Sequence, residues 1–370
     1  AFPSLPALSH DAYRYVWDAH LVAHGVSPYV HPVNDPALAS LRDTTIWPRV
    51  NWRDAVTIYP PGAQLLFLAV HAVAPLNIWA MKAAIELCDV LAGFVTLLLL
   101  RQRSMDPRRV IVYWWSPIPV IEFAANAHID AAAVLWVLLA LLLANSTRRL
   151  ARLGAGVFLG LAALTKLYPL IFALALVRRR DWSFVLGLAA TCILAYLPFV
   201  TLGLGSGGFL ATYFSQRFVD QGLLFRLLGN VAPSSTGLAV LIGLVAVLLC
   251  GIVARLRWQG TLSAEASLLA LSAVWIVLSP HLFPWYVAGM LPLLALLPKA
   301  RELPLPLPLP ALALWLFVLL MPFTYVVFAP NQAPEIFQLF FAVPLVMAAV
   351  PLARALRRRF SGWPAPVPVD

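Results

Sequence analysis

The chain has 370 residues, of which 62% are hydrophobic and only 11% are charged. Ordinary soluble domains carry about 25% charged residues, so this chain cannot cover a surface that faces water. We therefore predict an integral membrane protein with many helical spans. The same numbers exclude a disordered chain, a disulfide scaffold and a nucleic-acid-binding domain.

The first 59 residues are more polar than the rest. They hold four of the seven His residues but no apolar core of the kind that a signal peptide needs. We interpret them as a loop that folds against the membrane surface, and we expect one further membrane helix to precede it. A surface or re-entrant helix over 62–75 and a span over 78–100 are predicted to follow.

Several later segments lack Asp, Glu, Lys and Arg and are long enough to cross a bilayer core, which takes about 20 residues. They are residues 183–216, 227–254, 266–298 and 303–334. The third is split at 279–284, and the fourth begins with Leu-Pro repeats that cannot continue a helix. A span near 311–326 follows those repeats. We expect about eleven spans, or about twelve with the preceding helix.

The net charge of +10 is concentrated in six basic clusters between the apolar runs. By the positive-inside rule all six are cytoplasmic, and so is the C-terminus. The turns on the opposite, extracytoplasmic face then fall at 126–130, 166–169, 203–235, 279–284 and 325–335. The segment from Arg152 to Arg178 is too short for two full spans, so it is predicted to be two short helices that meet at Lys166.

The chemically varied polar residues collect at this opposite face. Lys166 is surrounded by apolar residues, and an isolated ammonium there needs an anionic partner. That partner is either the phosphate of a ligand or a structural carboxylate such as Asp130. His128 and Asp130 could form part of a metal site, but they lack a third ligand and are also typical of a polar helix end.

A series of motifs occurs on this face in a fixed order. Asp11 is followed by Tyr15 and by Gly-Val-Ser-Pro-Tyr at 25–29. A Thr-Ile-Tyr-Pro-Pro turn comes at 57–61, and the later motifs are Asn-Ala-His-Ile-Asp at 126–130, Thr-Lys-Leu-Tyr-Pro at 165–169 and Ser-Pro-His at 279–281. Together they resemble the GT-C glycosyltransferases, and most closely family 87, the polyprenyl-phosphate-mannose-dependent mannosyltransferases. The resemblance covers essentially the whole chain.

The resemblance implies an all-α GT-C fold of about twelve helices, with a catalytic acidic residue in the first external loop. Asp11 matches that residue by position, and Asp18 is the second candidate. Asp11 could instead only cap a helix. The Asp-x-Asp variant of the family is absent, because Ser9 and Tyr13 flank Asp11 at that spacing. We therefore expect no cofactor, and a divalent metal is in doubt.

The implied reaction is the transfer of a hexose, mannose by the resemblance, from a polyprenyl-phosphate donor to a lipid or glycan acceptor with inversion at the sugar. Asp11 would deprotonate the acceptor. Lys166, with Arg217 or Arg226, would bind the donor phosphate. His281, at a helix break, would contact the phosphate or share the acid–base work, unless it is only an interfacial residue.

The remaining candidates would shape the site. Tyr59 would form the wall where the loop re-enters the membrane, and His128 and Asp130 would orient the acceptor or Lys166. We divide the chain into an external loop (1–60), a first membrane module (61–203), a second external loop (204–235) and C-terminal membrane helices (236–370).

Two other functional classes stay open. The first is a transporter or lipid flippase, which should show repeated halves. The second is a structural subunit of an envelope complex, whose polar residues would share no cavity. In every case we expect a multi-pass protein of the cytoplasmic membrane that contacts membrane lipids and no nucleic acid.

Overall fold

The computed structural model describes residues 4–204, 235–279 and 283–297, with the single positions 228 and 320. No strand occurs within these ranges, and their regular structure is helical, as predicted. The chain divides into two compact units, Ala1–Leu297 and Pro298–Asp370, and every helix named below belongs to the first. The predicted span at 311–326 lies outside the described residues.

The helices differ widely in length. The longer α-helices are α1 (Asp11–Ala23), α2 (Pro61–Val73), α3 (Ile78–Gln102), α4 (Asp130–Ala144), α5 (Arg149–Thr165), α6 (Trp182–Leu202), α7 (Ser235–Trp258), α8 (Ala264–Leu278) and α9 (Met290–Ala295). Shorter pieces connect them. They are 3-10 turns at Pro36–Leu41, Trp47–Arg49, Pro107–Val110, Tyr168–Phe172 and Pro284–Val287, α-helical turns at Ile111–Trp114, Pro117–Pro119 and Ala173–Leu176, and a π-helical turn at Val120–Ala125.

Three helices in the described part of the chain are long and apolar enough to cross a membrane. They are α3, α6 and residues Thr236–Trp258 of α7. A fourth candidate is a broken helix in which Pro117–Ala125 and α4 meet at an angle of 119°. This break confirms the turn predicted at 126–130, while the predicted number of about eleven spans stays a prediction.

The helices after the first loop begin where the sequence provides starting signals. Pro61 occupies the first turn of α2, where its missing N–H is not needed. The Asn77 side chain caps α3 by accepting the backbone N–H groups of Trp79 and Ala80 at 2.9 and 3.1 Å. The observed bounds therefore lie close to the predicted 62–75 and 78–100.

Helices α5 and α6 pack closely through small residues. A side chain at Gly156 would overlap the Phe184 carbonyl group, and a side chain at Gly187 would overlap that of Leu153. A Cβ at Gly160 would lie 2.8 Å from the Cβ of Thr191. Gly156 and Gly160 have the four-residue spacing that lets membrane helices approach each other.

Basic residues bind together the helix ends on one side of the bundle. Arg152 pairs with Asp181 and donates to the Leu176 carbonyl group at 2.8 Å. Arg257 donates to the Ala175 carbonyl group at 3.0 Å. Further contacts of this kind join Arg178 to the end of α4, Arg103 to Glu265 and Arg109 to Leu297. The basic clusters within the described ranges therefore share one end of the bundle.

The opposite end of α5 leads directly to Lys166. The helix ends at Thr165, Lys166 is extended with φ −139° and ψ 141°, and a 3-10 turn at Tyr168–Phe172 begins the return. The meeting point predicted at Lys166 is confirmed. The returning segment is shorter than predicted, because it contains only that turn and the four residues Ala173–Leu176.

Candidate active site

Asp11 is the first residue of α1 and lies at the outer surface of the site. Its backbone N–H donates to the Ser9 hydroxyl at 3.3 Å, and His10 occupies the N-cap position, so the Asp11 side chain does not cap the helix. The carboxylate accepts a 2.6 Å hydrogen bond from the Asn51 amide, and its side chain is 17% exposed. A helix N-terminus favours a negative charge. Asp11 is therefore a fixed carboxylate that a ligand can reach.

Behind Asp11 lies the buried imidazole of His128. Its Nδ1 atom is 3.6 Å from Asp11 Oδ2, and its Nε2 atom is 3.5 Å from Glu122 Oε2. The ring stacks on Trp285 with 3.8 Å between the ring centroids. Ala127 adopts a left-handed conformation with φ 57°, which is uncommon for a residue with a side chain. This strained turn directs His128 toward Asp11.

Lys166 lies beside the same cluster. Its Nζ atom is 3.1 Å from Asp130 Oδ2, at the start of α4. The ammonium also lies 5.5 Å from the centre of the Tyr59 ring and 5.7 Å from that of Tyr286. Asp130 is buried while the Lys166 side chain is 15% exposed. The ion pair between Lys166 and Asp130, predicted as one alternative, is present, and part of the lysine side chain remains accessible.

A groove with mostly apolar walls begins at Lys166. Its first part, which contains the Lys166 ammonium, is lined by Ile58, Tyr59, Pro60, Lys166, Leu167 and Tyr168. Trp275 and Tyr286 complete that part and, with Tyr168, also line an adjoining cleft whose other walls include Val134, Leu138, Phe172, Ile276 and Leu293. A cation at the mouth of an apolar cleft suits an amphiphile with an anionic head group.

Two buried tyrosines connect the first loop to this cluster. The Tyr15 hydroxyl accepts the backbone N–H of Ile129 at 3.4 Å, and the Tyr15 ring packs edge to face against the Tyr59 ring with 4.9 Å between the ring centroids. Burial, followed by the negative charge of Asp11, raises the pKa of both tyrosines well above the usual value. Both hydroxyls therefore stay neutral and act as structural contacts.

Comparison with known proteins identifies the family to which the chain belongs. The sequence model described as Glycosyltransferase family 87 matches residues 57–280, which is more than half of the chain. The chain belongs to glycosyltransferase family 87. The family match contains Tyr59, His128, Asp130 and Lys166, whereas Asp11 precedes it. The match thus confirms the resemblance to family 87 that the sequence motifs indicated.

One relative of this family 87 protein is the polyprenol-phosphate-mannose-dependent alpha-(1-2)-phosphatidylinositol pentamannoside mannosyltransferase of Mycolicibacterium smegmatis. The two sequences are 28% identical over an alignment of 262 residues, and the alignment covers 64% of this chain. The chain spans 60% of the length of that curated relative. No solved structure matches the chain.

Asp18 has a different placement from the other predicted site residues of the family 87 chain. It is fully buried, pairs with Arg14 at 2.7 Å and accepts a 3.0 Å hydrogen bond from Gln64. Arg14 also donates to the carbonyl groups of Trp52 and Ala55, at 3.4 and 3.1 Å. This placement favours a structural role for Asp18 over its predicted role as the second candidate for the catalytic acid, because a carboxylate without exposed surface cannot meet a ligand.

Three predicted residues, Arg217, Arg226 and His281, lie outside the described residues. In the described ranges, no group of three or more His, Cys, Asp or Glu side chains is arranged to hold a metal ion. Metal independence stays a prediction.

Sequence reasoning missed Glu122 and Asn51. An isolated acid in the apolar run Val-Ile-Glu-Phe-Ala was the available signal for Glu122, since ionisable groups inside membranes are usually functional. Nothing in the sequence pointed to Asn51.

Proposed function

We propose that this protein is a membrane mannosyltransferase that transfers mannose from a polyprenyl-phosphate donor to a glycolipid acceptor, with inversion at the sugar. Family membership supports glycosyl transfer, and the relative's name supports this donor and class of acceptor. The observation that carries the proposal is the juxtaposition of an accessible carboxylate, Asp11, with an accessible ammonium, Lys166, around His128 and Asp130. Glycosyl transfer from a lipid phosphate needs one group of each kind.

Asp11 acts as the general base. It removes the proton from the acceptor hydroxyl as the acceptor oxygen attacks C1 of the sugar from the face opposite the phosphate. The bond between C1 and the phosphate oxygen breaks, and its electron pair leaves with the lipid monophosphate. Asn51 fixes one carboxylate oxygen, which leaves Oδ2 on the side of His128 for the proton transfer.

Lys166 binds the donor phosphate and stabilises the negative charge that develops on it. Asp130 holds the ammonium in place, and the neighbouring rings of Tyr59 and Tyr286 strengthen the site by excluding water. The apolar side chains that line the cleft beyond Tyr168 form the proposed contact surface for the first isoprene units of the donor. Arg217, Arg226 and His281 remain proposed partners of the phosphate.

The reaction takes place on the extracytoplasmic side of the cytoplasmic membrane. The arginine-rich helix ends are cytoplasmic by the positive-inside rule, and Asp11 and Lys166 belong to the other end of the bundle. The same rule makes the C-terminus cytoplasmic. A donor head group in the outer leaflet then meets the site directly.

Proteoliposomes that contain the purified full chain test this proposal. They are given polyprenyl-phosphate [³H]mannose and a phosphatidylinositol mannoside, and the lipids are separated by thin-layer chromatography. A labelled, larger glycolipid supports the proposal. Movement of labelled donor between leaflets without a new product would instead favour the flippase.

A further inference from the structure

Three polar residues of α1 form one stripe along the helix. Asp11, Arg14 and Asp18 follow each other at intervals of three and four positions, and side chains at these intervals project from the same face of a helix. Asp11 is accessible and binds Asn51, whereas Arg14 and Asp18 are buried. A buried ion pair is seldom a net source of stability, so the inner pair of the stripe calls for a further role.

Arg14 uses all three nitrogen atoms of its guanidinium group. Nε donates to Asp18 Oδ1 at 2.7 Å, while Nη1 and Nη2 donate to the carbonyl groups of Trp52 and Ala55 at 3.4 and 3.1 Å. The other Asp18 oxygen accepts the Gln64 amide at 3.0 Å. Because a guanidinium group is planar and rigid, the contact with Asp18 also fixes the direction of the two nitrogen atoms that meet the loop.

The two carbonyl groups belong to a tight turn of the first loop. The Ala55 N–H donates to the Trp52 carbonyl group at 3.0 Å and closes this turn. Trp52 is left-handed with φ 48°, which is uncommon for a bulky residue and costs free energy. Hydrogen bonds from Arg14 to both ends of the turn offset that cost and fix the turn relative to α1.

Asn51 lies immediately before this turn, and its amide donates to Asp11 Oδ1 at 2.6 Å. Helix α1 therefore contacts one short loop segment twice, through Asp11 at Asn51 and through Arg14 one and four residues later. The hydrogen bond from the Asn34 N–H to the Arg53 carbonyl group, at 2.9 Å, joins the same segment to the outer part of the loop instead. The contacts of Arg14 thus fix how closely Asn51 approaches α1.

We infer that Arg14, oriented by Asp18, is a positioning residue for the general base: it clamps the turn at 52–55 and thereby holds the Asn51 amide against Asp11. Without that amide, the Asp11 carboxylate rotates about its side-chain bonds and loses its orientation toward the acceptor. This inference rests on the proposed function for the role of Asp11. The position of the turn can be measured without any glycosyl transfer, so the two can fail separately.

The direct test is hydrogen exchange of the full chain in phosphatidylglycerol nanodiscs. R14M/D18L removes both charges together, and a protein usually stays folded when apolar residues replace a buried ion pair. R14K keeps a positive charge beside Asp18 but lacks the planar fork that reaches two carbonyl groups. We expect residues 51–55 to exchange about 10-fold faster in both variants, because hydrogen bonds from a charged group are lost. Wild-type exchange at 51–55 in both variants would overturn the inference.

R42K is the matched control for this measurement. Arg42 also donates to two backbone carbonyl groups of the first loop, those of Asn34 and Asp35, both at 2.9 Å. It does not contact the turn at 52–55 through these bonds, so R42K should keep wild-type exchange at 51–55. Equally fast exchange there in R42K and in R14K would show a general loosening of the loop and would overturn the inference.

Mannosyl transfer in the assay described above shows whether the clamp acts on the base. R14M/D18L should lower kcat about 10–100-fold with the donor KM unchanged, the usual result when a reacting group is misplaced. N51A should lower kcat to a similar extent. The two losses should not multiply in R14M/D18L/N51A, because both changes remove the same contact. Losses that multiply, or wild-type kcat in R14M/D18L, would overturn the inference.

Discussion

Asp130 and Lys166 lie 3.1 Å apart, at the start of α4 and just after the end of α5. The ion pair therefore ties together two helices at the end of the bundle opposite the arginine-rich end. The two residues differ in exposure, because Asp130 is buried and Lys166 borders the groove. Because its ammonium is exposed to the groove, Lys166 can bind a ligand in addition to neutralising Asp130.

The first prediction uses a charge-neutral double variant. K166M should lower kcat/KM for the polyprenyl-phosphate donor by about 100-fold, the usual loss when one group that stabilises a developing anion is removed. It also leaves Asp130 unpaired, so some of the loss could be structural. K166M/D130N removes both charges and should stay as impaired as K166M. Recovery of transfer in the double variant would show that Lys166 only neutralises Asp130.

The second prediction concerns the packing of α5, the helix that leads to Lys166. G156A should destabilise the protein by about 1–3 kcal/mol, because the new methyl group overlaps the Phe184 carbonyl group and forces α5 and α6 apart. G243A on α7 is the control, since a Cβ there meets no atom within 4 Å. Thermal unfolding of both variants in detergent measures the difference. Equal melting temperatures would contradict the close packing of α5 and α6.

The third prediction concerns acid sensitivity of the first loop. Burial alone would raise the pKa of Asp43, but hydrogen bonds from the Thr45 hydroxyl and from backbone N–H groups, including those of Ile46 and Trp47, lower it to about 2. An unfolded Asp titrates near 3.9, so the stabilisation is complete above about pH 4 and is lost as the pH falls toward 2. Hydrogen exchange at residues 43–49 should increase over that interval.

D43A should show the same fast exchange already at neutral pH, with a loss of about 1 kcal/mol, which is typical for a capping side chain. D54N is the comparison variant, because Asp54 is exposed and is bound by the Asn34 side chain at 3.0 Å in the same loop. Exchange at 43–49 that is independent of both pH and D43A would contradict this role of Asp43.

Much of the scaffold was predictable from local signals. Pro61 and Asn77 mark the starts of α2 and α3, and the basic clusters mark the ends that gather on one side. Lys166 was also recognisable, because a lone ammonium among apolar residues needs a partner. Each of these signals is carried by a residue and its immediate neighbours in the sequence.

The unpredicted part of the site depends on contacts between distant segments. Asn51 reaches Asp11 because Arg14, anchored on Asp18, holds the loop at Trp52 and Ala55. No spacing rule relates an amide to a carboxylate 40 residues earlier in the chain.

Glu122 reaches His128 because a π-helical turn and the left-handed Ala127 reverse the chain between them. A sequence pattern read as regular helix gives the wrong direction for that side chain, since a π-turn changes the angular position of each residue. Asp18 shows the opposite case, in which a plausible motif residue belongs to the support of the loop.

The measurement that tests the central claim most directly is mannosyl transfer by D11N in proteoliposomes, with polyprenyl-phosphate [³H]mannose as donor. Asn keeps the shape of the side chain and can retain the contact with Asn51, but it cannot accept the acceptor proton. We predict that kcat falls by about 10²–10⁴-fold, the contribution of a general base, with the donor KM unchanged and with D54N at wild-type activity. Full transfer activity in a folded D11N protein would contradict the account.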